Sequence, residues 1–208
     1  HRSILVDPRS PKMKDYLNKK VKHRETFRPF APAILEEQVS DYFPIKHKSP
    51  FMVEVFQFLP GKAEVVPAGS HVDGTGRLQT VSKDECPEYH DLITQFFKLT
   101  GVPIVLNTSF NDVEPIVETP RDALITFLST EIDILVVDGL VLDKKDINPK
   151  TRVKIASELK REREEWIQSA KTKIKSCHFK NYDISKAVAF RENESFQAEW
   201  RLKFRAKY

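Results

Sequence analysis

The sequence predicts an α/β fold over residues 1–147, followed by an appendage of a charged helix and an alternating strand over residues 148–208. Three observations lead to this prediction. An apolar stripe at helical spacing over 88–100 precedes a short, continuous apolar run over 103–106, the pattern of a helix followed by a buried strand. A second helix and a β-hairpin are then predicted within 119–142. Beyond this region apolar positions become sparse and charged residues dense, which marks a different part of the chain.

The first half of the main domain is expected to contain one helix and several short strands. Residues 11–23 carry apolar side chains at every fourth position and predict a short amphipathic helix. The run FMVEVFQFL over 51–59 is β-branched and aromatic and predicts a strand. Shorter strand pieces are expected at 65–66 and 78–81, on either side of a turn at 71–75.

The second half begins with the helix over 88–100, which should end at Gly101 because glycine readily adopts the left-handed conformation that closes helices. The apolar run 103–106 predicts a buried central strand. Residues 107–111 are polar and are expected to form the loop at its carboxyl end, where open α/β sheets bind ligands.

The remaining boundaries follow from local turn and cap chemistry. Thr119-Pro120-x-Asp122 predicts the start of a helix that runs to about Ser129. Asp138-Gly139 predicts a two-residue hairpin turn between strands within 132–142. In the appendage, a charged helix is predicted over 151–175. A one-side-buried strand is predicted over 195–205, paired with 184–190 and packed on the main domain or on an absent one.

Composition limits the functional classes. The net charge of +4 is uneven: residues 1–149 hold 18 basic and 22 acidic groups, whereas 150–208 hold 16 basic and 8 acidic groups. The basic excess therefore belongs to the appendage. Cys86 and Cys177 are isolated, which favours unpaired thiols in a reducing compartment. Without a long apolar run or a signal-like N-terminus, the sequence predicts a soluble, cytoplasmic protein, and the first residue, His1, suggests a fragment or a processed product.

Familiar catalytic motifs are absent from the sequence. There is no G-x-x-x-x-G-K-[ST], no G-x-G-x-x-G and no G-x-S-x-G, so the sequence offers no P-loop, dinucleotide-binding or hydrolase-elbow signature. A His71-x-Asp73 pair supplies only two potential metal ligands, and no further histidine lies at ligand spacing. No protein-bound metal site is predicted.

Four polar blocks occur where the pattern predicts buried strands or strand ends, and together they indicate an anion-binding site. Lys22 and Arg24 alone are compatible with an ordinary solvated pair, but Arg28 beside aromatic residues adds a third cation. Three cations would suit a triphosphate, because guanidinium groups bind phosphate oxygens bidentately. The blocks are Lys22-x-Arg24, His71-Val-Asp-Gly-Thr75, Arg77-Leu-Gln79 and Asn107-Thr-Ser-Phe-Asn111.

The amino-acid sequences of these blocks resemble those of a known family. RETFRPFAP (24–32), SPFM (49–52), HVDGTGRLQTV (71–81) and TGVPIVLNTSFN…EPIVETPRDAL (100–124) are similar to the C-terminal, YrdC-like domain of NodU/CmcH-type O-carbamoyltransferases. The resemblance extends in order over about residues 2–142. It implies a twisted mixed sheet of the YrdC-like kind. It also implies ATP-dependent activation of carbamoyl phosphate to carbamoyl-adenylate, with Mg²⁺, for O-carbamoylation of a small-molecule hydroxyl.

The resemblance also implies roles for residues. A Lys-x-Arg pair and a Ser-x-Asn pair line the nucleotide site of YrdC-like proteins. The residues expected to act in catalysis are Lys22, Arg24 and Arg77, and those expected to bind the nucleotide or carbamoyl group are Arg2, Arg28, His71, Asp73, Thr75, Asn107, Ser109 and Asn111. From the residues alone, Ser109 and Asn111 are also compatible with a turn that satisfies its own backbone, and His71 with a cap of its loop.

Two departures from a complete family member are expected to matter. The chain reads Asn111-Asp112-Val113-Glu114 where relatives usually carry a glycine, so this loop is one residue shorter. The family's Kae1-like acceptor domain would precede residue 1, so the chain should activate carbamoyl phosphate without transferring it. The alternatives are an RNA-binding or other nucleic-acid-binding YrdC-like module, which the acidic main domain makes unlikely on charge grounds, and a non-catalytic interaction domain.

Overall fold

The computed structural model describes residues 2–25 and 28–176, with side chains as far as residue 169. The strands are β1 (Ser3–Val6), β2 (Ala31–Leu35), β3 (Val55–Gln57), β4 (Thr75–Arg77), β5 (Gln79–Val81), β6 (Ile104–Ser109), β7 (Ile134–Val137) and β8 (Leu140–Asp143). The helices are α1 (Lys12–Tyr16), α2 (Pro87–Thr100), α3 (Pro120–Ser129) and α4 (Pro149–Ser176). A π-helix continues α1 over Leu17–Val21, and 3₁₀ turns cover Glu36–Asp41 and Lys144–Asp146. The chain divides into two compact units, residues 1–160 and 161–208.

The first unit is built on a four-stranded sheet of order β1-β6-β2-β5. Strand β6 is antiparallel to both of its neighbours, and β2 is parallel to β5. The sheet is therefore mixed, which confirms the predicted α/β fold class. Every residue of β2 is buried, as expected of a central strand covered on both faces.

The two faces of the sheet pack against different helices, because successive side chains of a strand point to opposite sides. Leu106 packs in a cluster with Leu17 of the π-helix and Phe127 of α3. Its neighbour Val105 packs in a second cluster that includes Ile93 of α2. The π-helix that leads to Lys22 is thus fixed to the sheet by apolar packing.

Strand β6 is longer than the sequence pattern predicted, and the expectation that 107–111 forms a loop is wrong for its first three residues. Asn107 pairs with Ala31 of β2, and Ser109 pairs with Ser3 of β1. Partners on both sides keep this polar segment extended, and a single-sequence pattern cannot reveal them. The polar side chains consequently sit on a rigid strand end.

Of two predicted strands, one is shorter than expected and the other does not form. The strand predicted over 51–59 is limited to β3, because Met52 adopts a left-handed φ of 57° that interrupts the extended backbone before it. Residues 65–66 form a turn instead of a strand. Strand β3 pairs only with β4, so Thr75 and Arg77 belong to this two-stranded ribbon.

Locally encoded boundaries are confirmed. Gly101 closes α2 at a φ of 73°. Asp138 and Gly139 both have positive φ, 49° and 76°, as the predicted hairpin turn between β7 and β8 requires. The predicted strands at 184–190 and 195–205, and Cys177, lie outside the described residues. No helix within the described ranges has both the length and the apolar character needed to cross a membrane.

Helix α3 begins with a reciprocal cap, which allows a direct test of local stability. The Thr119 hydroxyl accepts a hydrogen bond from the Asp122 backbone N–H, and the Asp122 carboxylate accepts one from the Thr119 backbone N–H. We expect Thr119→Ala to lower the free energy of unfolding by about 1 kcal/mol, measured by urea denaturation. Thr119→Ser keeps the hydroxyl and should remain within about 0.5 kcal/mol of the parent. Equal losses in both variants would show that the hydroxyl does not stabilise the helix start.

Candidate functional site

A widened helical turn positions Lys22. The Lys22 backbone N–H donates to the Leu17 carbonyl at 2.8 Å, a five-residue step in place of the four-residue step of an α-helix. His23 then adopts a left-handed φ of 42°, which ends the helix. The extra residue rotates the end of the turn toward the sheet. Lys22 is consequently only 3% exposed, although it lies in a segment rich in solvated lysines.

The Lys22 ammonium group joins the two ends of the predicted site. Its Nζ lies 2.7 Å from the Ser109 carbonyl oxygen and 3.3 Å from Ser109 Oγ. It also lies 2.8 Å from the Asn111 carbonyl oxygen and 2.6 Å from Asn111 Oδ1. The Ser109 hydroxyl donates to the same Asn111 Oδ1 at 2.7 Å. Lys22 of the Lys-x-Arg pair therefore hydrogen-bonds to both members of the Ser-x-Asn pair, although 87 residues separate Lys22 from Ser109.

Burial makes the charge on Lys22 costly. Desolvation, assisted by the positive charge of Arg24 and opposed by Asp112, lowers the pKa of Lys22 to about 8. The ammonium form still predominates at neutral pH. It is held there by neutral oxygens and not by a directly bonded carboxylate. Such a cation gains most from an added anion.

Arg24 is fixed by groups that leave its terminal nitrogens available. Its Nε donates to Asn18 Oδ1 at 2.9 Å, and its guanidinium carbon lies 4.8 Å from the centre of the Phe30 ring. Asn18 is fully buried and donates from Nδ2 to the Arg28 carbonyl oxygen at 3.1 Å. Among residues 2–25 and 28–176, neither terminal nitrogen of Arg24 makes a hydrogen bond. This edge of the guanidinium is the one that binds phosphate bidentately.

Further cations surround Arg24. Burial lowers the pKa of Arg24, and the nearby charges of Arg28 and Arg77 lower it further. Arg28 has an ion pair with Glu25 at 3.2 Å. Arg77 is exposed, and its guanidinium makes neither an ion pair nor a hydrogen bond with any residue in the described ranges. We name Lys22, Arg24, Arg28 and Arg77 the cation cluster; its mutual repulsion would be relieved by a bound polyanion.

The turn from His71 to Thr75 lies beside this cluster. The His71 backbone N–H donates to the Thr75 carbonyl at 2.7 Å, and Gly74 provides the positive φ of 76° that the turn needs. The Thr75 hydroxyl lies 2.7 Å from Asp73 Oδ1 and 2.8 Å from His71 Nδ1. Hydrogen bonds from the Thr75 hydroxyl and backbone lower the pKa of Asp73, which is therefore ionised at neutral pH.

Two predicted ligand-binding residues are engaged elsewhere. Asn107 is 4% exposed, and its amide donates to Gln79 Oε1 at 2.8 Å within the sheet. Arg2 is an exposed residue, and its guanidinium donates a hydrogen bond to the Val117 carbonyl at 3.0 Å. Neither contact joins these side chains to Lys22. Their ligand contacts stay predictions.

The site also contains residues that the sequence did not indicate. Asn18 appears within a run of lysines as one more solvated polar residue, because only the π-helical turn rotates it inward. His23 Nδ1 lies 2.9 Å from Asp112 Oδ1, which joins the end of the π-helix to the loop after β6. The spacing of residues in the sequence does not predict either contact.

The loop after β6 has no strained backbone position. Residues 111–116 all have negative φ, so no position in the loop requires glycine. The Asn111 amide nitrogen donates to the Glu114 carbonyl, which orients the amide oxygen toward Lys22. The chain therefore closes the loop by a side-chain hydrogen bond. The effect of the absent glycine on ligand approach stays a prediction.

A second surface depression is a weaker candidate. It is lined by Glu36, Glu37, Lys48 and neighbouring residues. Two of its acidic residues are in ion pairs: Lys48 Nζ lies 3.3 Å from Glu36 Oε2, and Glu37 binds His90. Its lining holds as many acidic as basic side chains. Nothing in this depression has the unbalanced charge of the cation cluster. No group of three or more His, Cys, Asp or Glu side chains suited to a metal ion occurs within the described residues.

Most of the sequence matches known proteins. Residues 1–144 match the family described as the carbamoyltransferase C-terminus. The chain is 45% identical over 163 residues to nodulation protein NolNO of Sinorhizobium fredii, covering 76% of this chain and 24% of that protein. It is 48% identical over 149 residues to nodulation protein NolO of Bradyrhizobium diazoefficiens, covering 70% of this chain and 27% of that protein.

A third relative is nodulation protein U of Rhizobium tropici, which is 44% identical over 110 residues, covering 53% of this chain and 19% of that protein. The chain thus spans about a quarter or less of the length of these relatives. The family match extends over both halves of the candidate site, from the Lys-x-Arg pair to the Ser-x-Asn pair. The chain therefore belongs to the family of carbamoyltransferase C-terminal domains.

Proposed function

We propose that this domain binds ATP and activates carbamoyl phosphate as carbamoyl-adenylate. In this reaction, hydrolysis of carbamoyl phosphate releases phosphate and carbamate. A carbamate oxygen then attacks the α-phosphorus of ATP, the bond from that phosphorus to the bridging oxygen breaks, and pyrophosphate leaves. The acceptor hydroxyl would be carbamoylated elsewhere in a longer polypeptide, since the chain corresponds to about a quarter of its relatives.

The observation that carries the proposal is the contact of the Lys22 ammonium with Ser109 and Asn111 beside three guanidinium groups. A triphosphate carries several negative charges, and its transfer reactions are accelerated chiefly by positioning and by neutralisation of developing charge. The terminal nitrogens of Arg24 and the whole guanidinium of Arg77 are available to phosphate oxygens. Lys22 orders the strand end and the loop, and its buried charge adds to the attraction of the polyanion.

Mg²⁺ fits this site as a companion of the nucleotide. Since the described residues provide no cluster of acidic or histidine ligands, the ion would be bound chiefly by phosphate oxygens and water. It would supply further charge neutralisation. The residues of the chain would then act mainly on the phosphate oxygens that the ion leaves free.

Binding of ATP to the 208-residue chain tests the proposal. We expect Arg24→Ala to weaken ATP–Mg²⁺ binding in calorimetry by about 1.5–3 kcal/mol, or roughly 10- to 150-fold in Kd, because a charge-assisted hydrogen bond to phosphate is lost. Arg161→Ala is the matched control. It removes the same charge from an exposed position of α4 and should leave Kd within about twofold.

A second measurement separates binding from chemistry. The chain should incorporate labelled pyrophosphate into ATP only when carbamoyl phosphate is present, because the adenylate must form before the reaction can reverse. Absence of ATP binding by the parent chain, or an Arg24→Ala affinity equal to that of Arg161→Ala, would contradict the proposal. Binding without exchange would restrict it to nucleotide recognition.

A further inference from the structure

One buried nitrogen beside the cation cluster lacks a partner. His71 Nε2 is inaccessible to solvent and makes no hydrogen bond within residues 2–25 and 28–176. A buried polar atom without a partner is destabilising and uncommon in native proteins. Elsewhere in this turn, the backbone N–H groups of His71, Gly74 and Thr75 all donate hydrogen bonds, and the Thr75 hydroxyl contacts both Asp73 and His71 Nδ1. A ligand group at Nε2 would satisfy the remaining ring nitrogen of His71.

The hydrogen bonds of the turn define which kind of group His71 needs. Asp73 is ionised, so its carboxylate only accepts, and the Thr75 hydroxyl must donate its proton to Asp73 Oδ1. Thr75 Oγ1 can then only accept from the imidazole, which puts the imidazole proton on Nδ1. Nε2 is left as a bare acceptor. Burial and the charges of Lys14 and Arg77, opposed by Asp73, lower the pKa of His71 and keep the ring neutral at pH 7.

An acceptor at this position does not suit phosphate. The cation cluster offers only donors, which phosphate oxygens satisfy, and the phosphate groups of ATP are ionised at neutral pH and carry few protons to donate. A carbamoyl group differs because its amino group has two N–H donors. The His71 turn and the cation cluster are neighbours, since the charge of Arg77 lowers the pKa of both His71 and Arg24.

We propose that His71 Nε2 accepts a hydrogen bond from the amino group of the carbamoyl moiety, so that the domain distinguishes carbamoyl phosphate from acyl phosphates that lack an N–H donor. This inference rests on the proposed function and assigns the carbamoyl selectivity of the same site to one atom. The ligand then satisfies the one orphaned acceptor of the turn.

Two stable phosphonates provide a matched test with the 208-residue chain. Phosphonoacetamide has the amino group of carbamoyl phosphate, and 2-oxopropylphosphonate has a methyl group in its place. The parent should bind phosphonoacetamide about tenfold more tightly, the usual effect of one hydrogen bond to a buried partner. His71→Asn keeps an N–H for Thr75 but lacks Nε2, so it should bind both phosphonates with the weaker affinity. His47→Asn, at an exposed histidine, should retain the preference.

Nitrogen NMR of His71 adds a readout that needs no ligand or nucleotide. We expect a protonated Nδ1 and a bare Nε2 in the parent, and a shift of the Nε2 signal on addition of phosphonoacetamide alone. A proton on Nε2, equal affinity of the parent for both phosphonates, or an unchanged preference in His71→Asn would each overturn the inference. The proposed function is tested separately by ATP affinity, so the two failures are distinguishable.

Discussion

Lys22→Met is expected to lower the free energy of unfolding by about 2 kcal/mol and to abolish measurable ATP binding. The substitution removes the ammonium that contacts four oxygen atoms of Ser109 and Asn111 while keeping a side chain of similar length. These partly buried oxygens would lose their donor, and that loss should exceed the relief from burying a charge. Urea denaturation at pH 7 measures the first effect, and calorimetry measures the second.

The control for Lys22→Met lies in the π-helix that precedes Lys22. Lys20 is exposed, so Lys20→Met makes the same chemical change without removing a buried donor. It should change the free energy of unfolding by less than about 0.5 kcal/mol and leave ATP binding intact. If both variants behaved alike, the contacts of Lys22 with the loop after β6 would not stabilise the fold.

The pH dependence of stability should differ between the parent and Lys22→Met. The pKa of Lys22 falls from 10.5 to about 8 in the folded protein, so the unfolded chain binds more protons between these values. Stability from this group therefore rises with pH across that window, and the penalty of the buried charge is fully present below it. Lys144 has a similarly lowered pKa, about 8, but is common to both proteins. The difference between their unfolding free energies at pH 7 and pH 10 isolates Lys22.

Asn18→Ala tests whether ATP binding depends on the buried side chain that orients Arg24. Asn18 is fully buried, and its side chain donates to the Arg28 carbonyl and accepts from Arg24 Nε. The substitution removes both hydrogen bonds. We expect a loss of about 2 kcal/mol in the free energy of unfolding and about tenfold weaker ATP binding, because Arg24 is no longer held. Denaturation and calorimetry measure the two effects.

Asn18→Asp provides the matched comparison. It keeps an oxygen to accept from Arg24 Nε but loses the amide donor to the Arg28 carbonyl. Stability should still fall, while ATP affinity should stay within about threefold of the parent because the guanidinium remains oriented. Parental affinity in Asn18→Ala would show that Arg24 needs no such support.

Features encoded by a few neighbouring residues were predictable from the sequence. The cap at Thr119, the helix end at Gly101 and the hairpin turn at Asp138-Gly139 each depend on local φ and hydrogen-bonding preferences. The α/β class followed from the order of helix and strand patterns. The resemblance to carbamoyltransferases, which the family match confirms, identified the blocks that meet at Lys22.

Features that depend on distant partners were not predictable. Asn107 and Ser109 lie in a strand because β1 and β2 flank them, so their polarity suggested a loop. Asn18 is buried because the π-helical turn shifts its phase relative to the apolar stripe. The left-handed Met52 shortens a strand whose composition is otherwise favourable. In each case tertiary structure outweighs a local preference.

The contact between Lys22 and Ser109 also affects the order of events during folding. It closes a loop of 87 residues, and the pairing of Ser3 with Ser109 in β1 and β6 closes a longer one. Contacts of such high sequence separation form only after the entropy of long loop closure has been overcome, which slows folding relative to helix formation. A fragment without β6 lacks Ser109, and a fragment without β1 lacks the strand that pairs with Ser109. Ligand affinity regained during refolding should therefore follow completion of the central sheet, and not the earlier appearance of helical signal.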